Sequence, residues 1–152
     1  MTVGYLVDAA KRCITEVEYQ DHRDIRTLVT STPSQSFALG DFVGANTLYV
    51  CDNGLYTRLP GFFRLVGSPD YQPIRGNGLL VGPETPDDSN RPPTITLANW
   101  KAHVEFLSWD EACTWVAARA DKPAMSINGE VIMTWAAFWK EVPAPFPSGD
   151  GA

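Results

Sequence analysis

A chain of 152 residues, 44% hydrophobic and 20% charged, can bury a core of its own and reads as one domain, or one domain with a small appendage. Its net charge of −6 and pI near 4.8 make it a poor generic binder of phosphate backbones, because that affinity comes from lysine and arginine. No apolar run approaches a membrane span, and the opening MTVGYLVDAAK lacks the basic and apolar regions of a signal peptide.

In chain order, Val3, Tyr5 and Val7 share one face of a first strand. Residues 14–19 alternate again, with Thr15, Val17 and Tyr19 opposite Glu16 and Glu18, and the two runs predict an antiparallel pair. Asp21 is a good N-cap, with Asp24 in the first turn, for a helix over residues 22–30 that turns Ile25, Leu28 and Val29 inward. A short strand at 36–39 comes next. Leu48-Tyr49-Val50 is a strand run, Asp52-Asn53-Gly54 a turn, and residues 55–59 lead away from it. Asn-Gly supplies the positive φ angles of a tight hairpin, so a hairpin is expected here. Pro60-Gly61 breaks the run before a short strand over 62–66.

Arg75-Gly76-Asn77-Gly78 reads as a tight loop feeding a buried strand at 79–81, and residues 84–93 as an exposed, acidic, proline-rich loop. One helical turn at 99–102 and a strand at 104–107 come after it. Ser108 with Glu111 is a capping box opening a helix over 109–120. Asn128-Gly129 predicts a second hairpin between residues 125–127 and 130–133, and Thr134 caps a last helix over 135–141. The expected fold class is α+β: a mixed or mostly antiparallel sheet, one N-terminal helix, and a C-terminal β-α-β-β-α-like extension. Residues 1–107 would form a hairpin-rich core, residues 108–142 a Trp-rich helix-hairpin-helix extension packed on it, and residues 143–152 a disordered tail.

The order Tyr5-Leu6-Val7-Asp8, Ile14-Thr15-Glu16-Val17-Glu18-Tyr19, Leu48-Tyr49-Val50-Cys51-Asp52-Asn53-Gly54-Leu55, Pro60-Gly61-Phe62-Phe63, Gln72-Pro73-Ile74-Arg75-Gly76-Asn77-Gly78-Leu79-Leu80-Val81-Gly82 and Val104-Glu105-Phe106 resembles a family of small uncharacterised proteins carried by phages, plasmids and other mobile elements. The resemblance covers about residues 5–107 and rests on turn glycines and core apolar positions. It implies no catalytic activity. It implies a context in which small cytoplasmic proteins bind and inhibit host machinery, antiviral systems included. The Trp-rich region after residue 108 departs from that pattern.

Chemistry finds little support in the residues. His22 and His103 stand at no metal-ligand spacing, and Cys13, Cys51 and Cys113 are widely spaced without a CxxC, so free, buried thiols in a reducing cytoplasm are expected and neither metal nor cofactor is. The pairs Glu16/Glu18, Asp87/Asp88 and Asp110/Glu111 each have a structural reason to be where they are. Arg75 and Asn77 in the glycine loop, with Arg58 and Arg64 as helpers, are the best candidates for contacting an anion or small ligand, although the loop precedes a strand and is no Walker loop. Trp109, Trp115, Trp135, Phe138 and Trp139 are the best candidates for a partner surface, because two short helices cannot easily bury four indoles. Asp87 and Asp88 join them in the acidic loop.

The sequence thus points to a small, acidic, non-enzymatic binding protein of a mobile element. Its expected partner is a host protein or complex, an antiviral defence or nucleic-acid-handling system being the concrete form, with no direct nucleic-acid or membrane binding and with a homodimer as one form it can take. Acidity reads first as solubility and more sharply as mimicry of nucleic acid. The alternative is a small-ligand or nucleotide binder, a sponge or weak hydrolase, built on the loop at 75–78.

Overall fold

The computed structural model describes residues 1–29, 36–41, 46–51, 54–66, 72–87 and 90–146. Alternating apolar residues build its larger sheet. β1 (Thr2–Asp8) and β2 (Cys13–Tyr19) pair from Thr2↔Tyr19 to Asp8↔Cys13. Helix α1 (His22–Val29) comes next, with the main-chain N–H groups of Arg23 and Asp24 donating to the Asp21 carboxylate. β3 (Ser36–Asp41) and β4 (Thr47–Cys51) pair with each other, and β7 (Gly78–Val81) enters between β1 and β4. The order is β2-β1-β7-β4-β3.

A smaller sheet, β6-β5-β8, is made by β5 (Phe62–Leu65), β6 (Ile74–Arg75) and β8 (Val104–Leu107). The fold is α+β, and every strand pairing among the described residues is antiparallel. β6 and β7 are nearly continuous. Gly76, at φ +93°, bends the chain out of the small sheet, and two residues later it enters the large one.

Period two sorts the core into layers. Leu79 and Val81 of β7 face α1, where they meet Ile25, Val29 and Tyr19. On the other face, Tyr5, Val7, Leu48, Val50 and Leu80 meet Phe63 and Leu65 of the small sheet. Trp100 fills this second layer from α2 (Leu97–Ala102), whose N-cap Thr96 accepts from the Asn99 N–H at 3.1 Å. Behind the small sheet lies a third layer of Phe62, Leu107 and Ala112, with Trp109 and Trp139 packed against it. Ala112 belongs to α3 (Trp109–Ala117), whose start is fixed by the full capping box of Ser108 and Glu111. The hairpin β9 (Pro123–Ile127) and β10 (Glu130–Thr134) then leads into α4 (Trp135–Trp139).

The structure corrects three expectations. Asp52 and Asn53 lie outside the described residues, but β4 makes no hairpin with residues 55–59: its neighbours are β3 and β7, and Gly54–Tyr56 is a 3₁₀ turn. The carbonyls that a ladder on 55–59 would need are partly taken, because Leu55 and Leu59 accept from Arg75. Arg75 itself lies in β6, not in a tight loop. And Pro143 is no part of a free tail: its carbonyl is held by Arg75 at 2.6 Å, and the Phe146 N–H donates to Arg58 O at 3.4 Å. Residues 147–152 lie outside the described residues.

Candidate functional site

Arg75 is the most unusual side chain in the molecule, an arginine only 1% exposed. Its Nε donates to Leu59 O at 2.6 Å, and its Nη1 donates to Leu55 O at 3.2 Å and Pro143 O at 2.6 Å. The guanidinium lies 4.8 Å from the Phe62 ring centre and 5.3 Å from that of Trp109. Burial first, then the charge of Arg58, pull its pKa down to about 10, against an upward pull from Cys113. Three main-chain carbonyls and two aromatic faces thus occupy Nε, Nη1 and the plane of the group that the sequence offers as an anion clamp, while Nη2 is buried with no hydrogen-bond partner among the described residues. Arg75 ties the loop after β4, the small sheet and the segment after α4 into one knot.

The other ligand candidates do not converge on it. Arg58 is exposed, with its guanidinium 5.2 Å from the Phe146 ring centre. Arg64 is engaged across the small sheet with Glu105 at 3.0 Å. Asn77 is structural: its Oδ1 accepts from the Ala9 N–H at 3.3 Å and its Nδ2 donates to Leu28 O at 3.3 Å, which fastens the β1–β2 turn and α1 to the start of β7. His103 is held locally, with Nδ1 2.7 Å from Asn99 O, and His22 is exposed edge-on to Tyr49. Cys51 and Cys113 are half-buried and Cys13 is exposed, since it opens an edge strand; not all three thiols are buried as expected. Among the described residues no group of three His, Cys, Asp or Glu is placed to hold a metal ion.

The tryptophans divide into two clusters. Trp109 and Trp139 stack at 5.7 Å and 17°, both against Phe62, and the Trp139 indole N–H donates to Cys113 Sγ at 3.4 Å. Trp115 meets Trp135 edge-on at 5.4 Å, and Phe138 meets Trp135 at 5.7 Å. Arg119 covers Trp115 from 3.9 Å. Trp135 is 6% exposed and the other four rings are half-buried, so none stands open as a flat patch. Two short helices hold four indoles because the small sheet lends Phe62 as a floor and Arg75 as a lid over Trp109, and Arg119, just past α3, covers Trp115. In the acidic loop, Glu84 and Asp87 are exposed above a turn closed by Gly82 N–H to Arg91 O and Arg91 N–H to Pro83 O; Asp88 lies outside the described residues.

What sequence reasoning missed is the exposed surface of the second hairpin. Met125, Ile127, Val131 and Ile132 are each between 47% and 57% exposed. Ile127 pairs with Glu130 and Ser126 with Val131, so the apolar side chains lie on both faces. The signal was present: the turn chemistry predicted a hairpin, but nothing in the spacing predicted that it would project from the core. No helix among the described residues is long and apolar enough to cross a membrane. Comparison with protein-family models, with curated proteins and with solved structures finds no match.

Proposed function

We propose that this chain is a small acidic binding protein that acts by occupying a protein surface and performs no chemistry of its own. The exposed apolar hairpin at 123–134 carries this reading, because large apolar side chains gathered on one projecting element are what protein–protein docking covers. The side chains that sequence offers for ligand contact support it indirectly. Arg75, Asn77 and Arg64 are each spent on holding the fold together.

The context is that of the mobile-element proteins this sequence resembles: a host protein complex, of antiviral defence or nucleic-acid handling, is bound and inhibited or modulated. The acidic loop with Glu84 and Asp87 is the second face available for such a contact. The test is capture from a host lysate by the full chain, beside Asp87→Lys and Ile127→Asp variants. A specific host partner lost with either variant is the expected result. Recovery of no partner, together with a rise in melting temperature in the presence of a nucleotide, would favour the small-ligand reading instead.

A further inference from the structure

We infer that Asn128 is a site of spontaneous covalent modification, where the main-chain nitrogen of Gly129 converts the carboxamide to aspartate and isoaspartate and thereby remodels the β9–β10 hairpin. The inference is independent of what the hairpin docks against. Water is the one co-reactant. The Gly129 nitrogen attacks Cγ of Asn128, a C–N bond closes a succinimide ring, and the Cγ–Nδ2 bond breaks. Ammonia leaves with the proton that the main-chain nitrogen gives up. Water then opens the ring at either carbonyl. One opening keeps the original chain and leaves aspartate; the other reroutes the chain through Cγ and leaves isoaspartate. Nothing is oxidised or reduced. A following glycine favours the attack, because it has no Cβ to block it and its backbone turns freely.

The sequence holds three Asn-Gly steps, and the fold separates them. Asn53 lies outside the described residues. At Asn77-Gly78 both ends of the carboxamide are held, Oδ1 by the Ala9 N–H and Nδ2 on Leu28 O, each at 3.3 Å. Gly78 is buried in β7 and pairs with Val7 on one side and Val50 on the other, so its nitrogen is not free to swing onto Cγ. Asn128-Gly129 has none of these restraints. Every residue over 125–132 is exposed, and no hydrogen bond among the described residues holds the Asn128 carboxamide. A Cβ on Gly129 would meet nothing within 4 Å.

Attack requires the Asn128 backbone to leave its left-handed conformation at φ +52°, so the rate follows the opening of the hairpin. This hairpin is built to open. Among the described residues it is a two-stranded sheet with no third strand, and its register breaks between Val131 and Met133 and again between Met133 and Thr134. A two-stranded sheet is marginal alone. The two products then act differently. Aspartate tolerates the left-handed turn and only adds a negative charge near Glu130. Isoaspartate adds a methylene to the main chain inside a two-residue turn, and turn length is what fixes hairpin register. The pairing of Ile127 with Glu130 that closes the turn cannot be kept.

Peptide mapping by mass spectrometry tests this on the purified full chain, aged at physiological temperature and mildly alkaline pH. Electron-transfer fragmentation separates aspartate from isoaspartate. Asn128 should convert ~10-fold or more faster than Asn77 in the folded chain, and the two should convert at similar rates in guanidinium chloride. Hydrogen exchange over residues 123–134 should be faster in the isoaspartate fraction than in the fresh chain. A freshly purified Asn128→Asp variant, which carries the charge without the methylene, should exchange as the fresh chain does. An Asn128 that survives ageing in the folded chain while the unfolded chain loses it, or that converts no faster than Asn77, overturns the site. An isoaspartate fraction whose hairpin exchanges no faster than that of Asn128→Asp overturns the remodelling.

Discussion

Arg75 shows how one side chain can settle the use of several segments. Replacing it with methionine keeps the volume but leaves the carbonyls of Leu55, Leu59 and Pro143 without their donor. Arg75→Met should lower stability by about 3 kcal/mol, read from the urea midpoint. Arg75→Lys should recover less than half of that, because an ammonium cannot reach three divergent acceptors from one planar fork. Tyr19 gives the opposite case. Its hydroxyl is buried without a hydrogen-bond partner among the described residues, and burial first, then Tyr49, push its pKa up to about 12. The folded state keeps this proton above pH 10, where the unfolded chain releases it. Stability from the group is therefore complete below about pH 10 and is lost as pH rises through about 12. Tyr5 and Tyr49 are raised in the same sense, by burial first, then by Glu16 and Glu84 respectively. Arg75 acts against them in this range, since its lowered pKa lets the folded state shed a proton early. Tyr19→Phe isolates one contribution. It should stay within about 0.5 kcal/mol of the wild type at neutral pH and show a shallower fall in melting temperature above about pH 10.

At the scale of elements, the two Asn-Gly dipeptides separate what sequence can and cannot say. At Asn128-Gly129 the φ angles are +52° and +82°, and the flanking strands pair with each other. A Cβ on Gly129 would meet nothing within 4 Å, so Gly129→Ala tests backbone conformation alone. It should cost about 1 kcal/mol and speed hydrogen exchange in residues 123–134 more than elsewhere. At Asn53-Gly54 the same chemistry misleads, because the flanks are claimed from a distance: Val50 by Gly78, and the carbonyls of Leu55 and Leu59 by Arg75. The capping box of Ser108 and Glu111 was legible because both bonds are local. Glu111 is held below the usual carboxylate range first by the Ser108 N–H, then by the Ser108 hydroxyl and Arg12. Ser108→Ala should cost about 1 kcal/mol. The burial of Arg75 and Trp100 was not legible, since no local pattern marks an arginine for the interior or one indole of five for the centre of the core.

For the whole molecule, the boundary at residue 107 suggested by composition crosses the third layer of the core. Phe62 and Leu107 lie on one side of it, Ala112, Trp109 and Trp139 on the other. Residues 1–107 expressed alone would bare that layer and deprive Arg75 of Pro143. They should show no cooperative thermal transition by circular dichroism, whereas the full chain should unfold in one step. The hairpin behaves differently, because its exposed side chains contribute little to the core. Aspartate there should alter association while leaving that single transition in place.

The bend at Gly76 has a consequence for the speed of folding. The short run from Ile74 to Val81 supplies one strand to the five-stranded sheet and one to the three-stranded sheet. Its partners are remote, Tyr5 with Leu80 in one sheet and Phe62 with Arg75 in the other. The β1–β2 and β3–β4 pairs can form locally, but they join into one sheet only through β7, so long loops must close before that pairing is rewarded. Refolding should be slow for a domain of this size, on the order of milliseconds to seconds. Substitutions in that run, Leu80→Ala foremost, should slow the folding limb of the chevron more than they speed the unfolding limb, which makes this segment the kinetic hub of the chain.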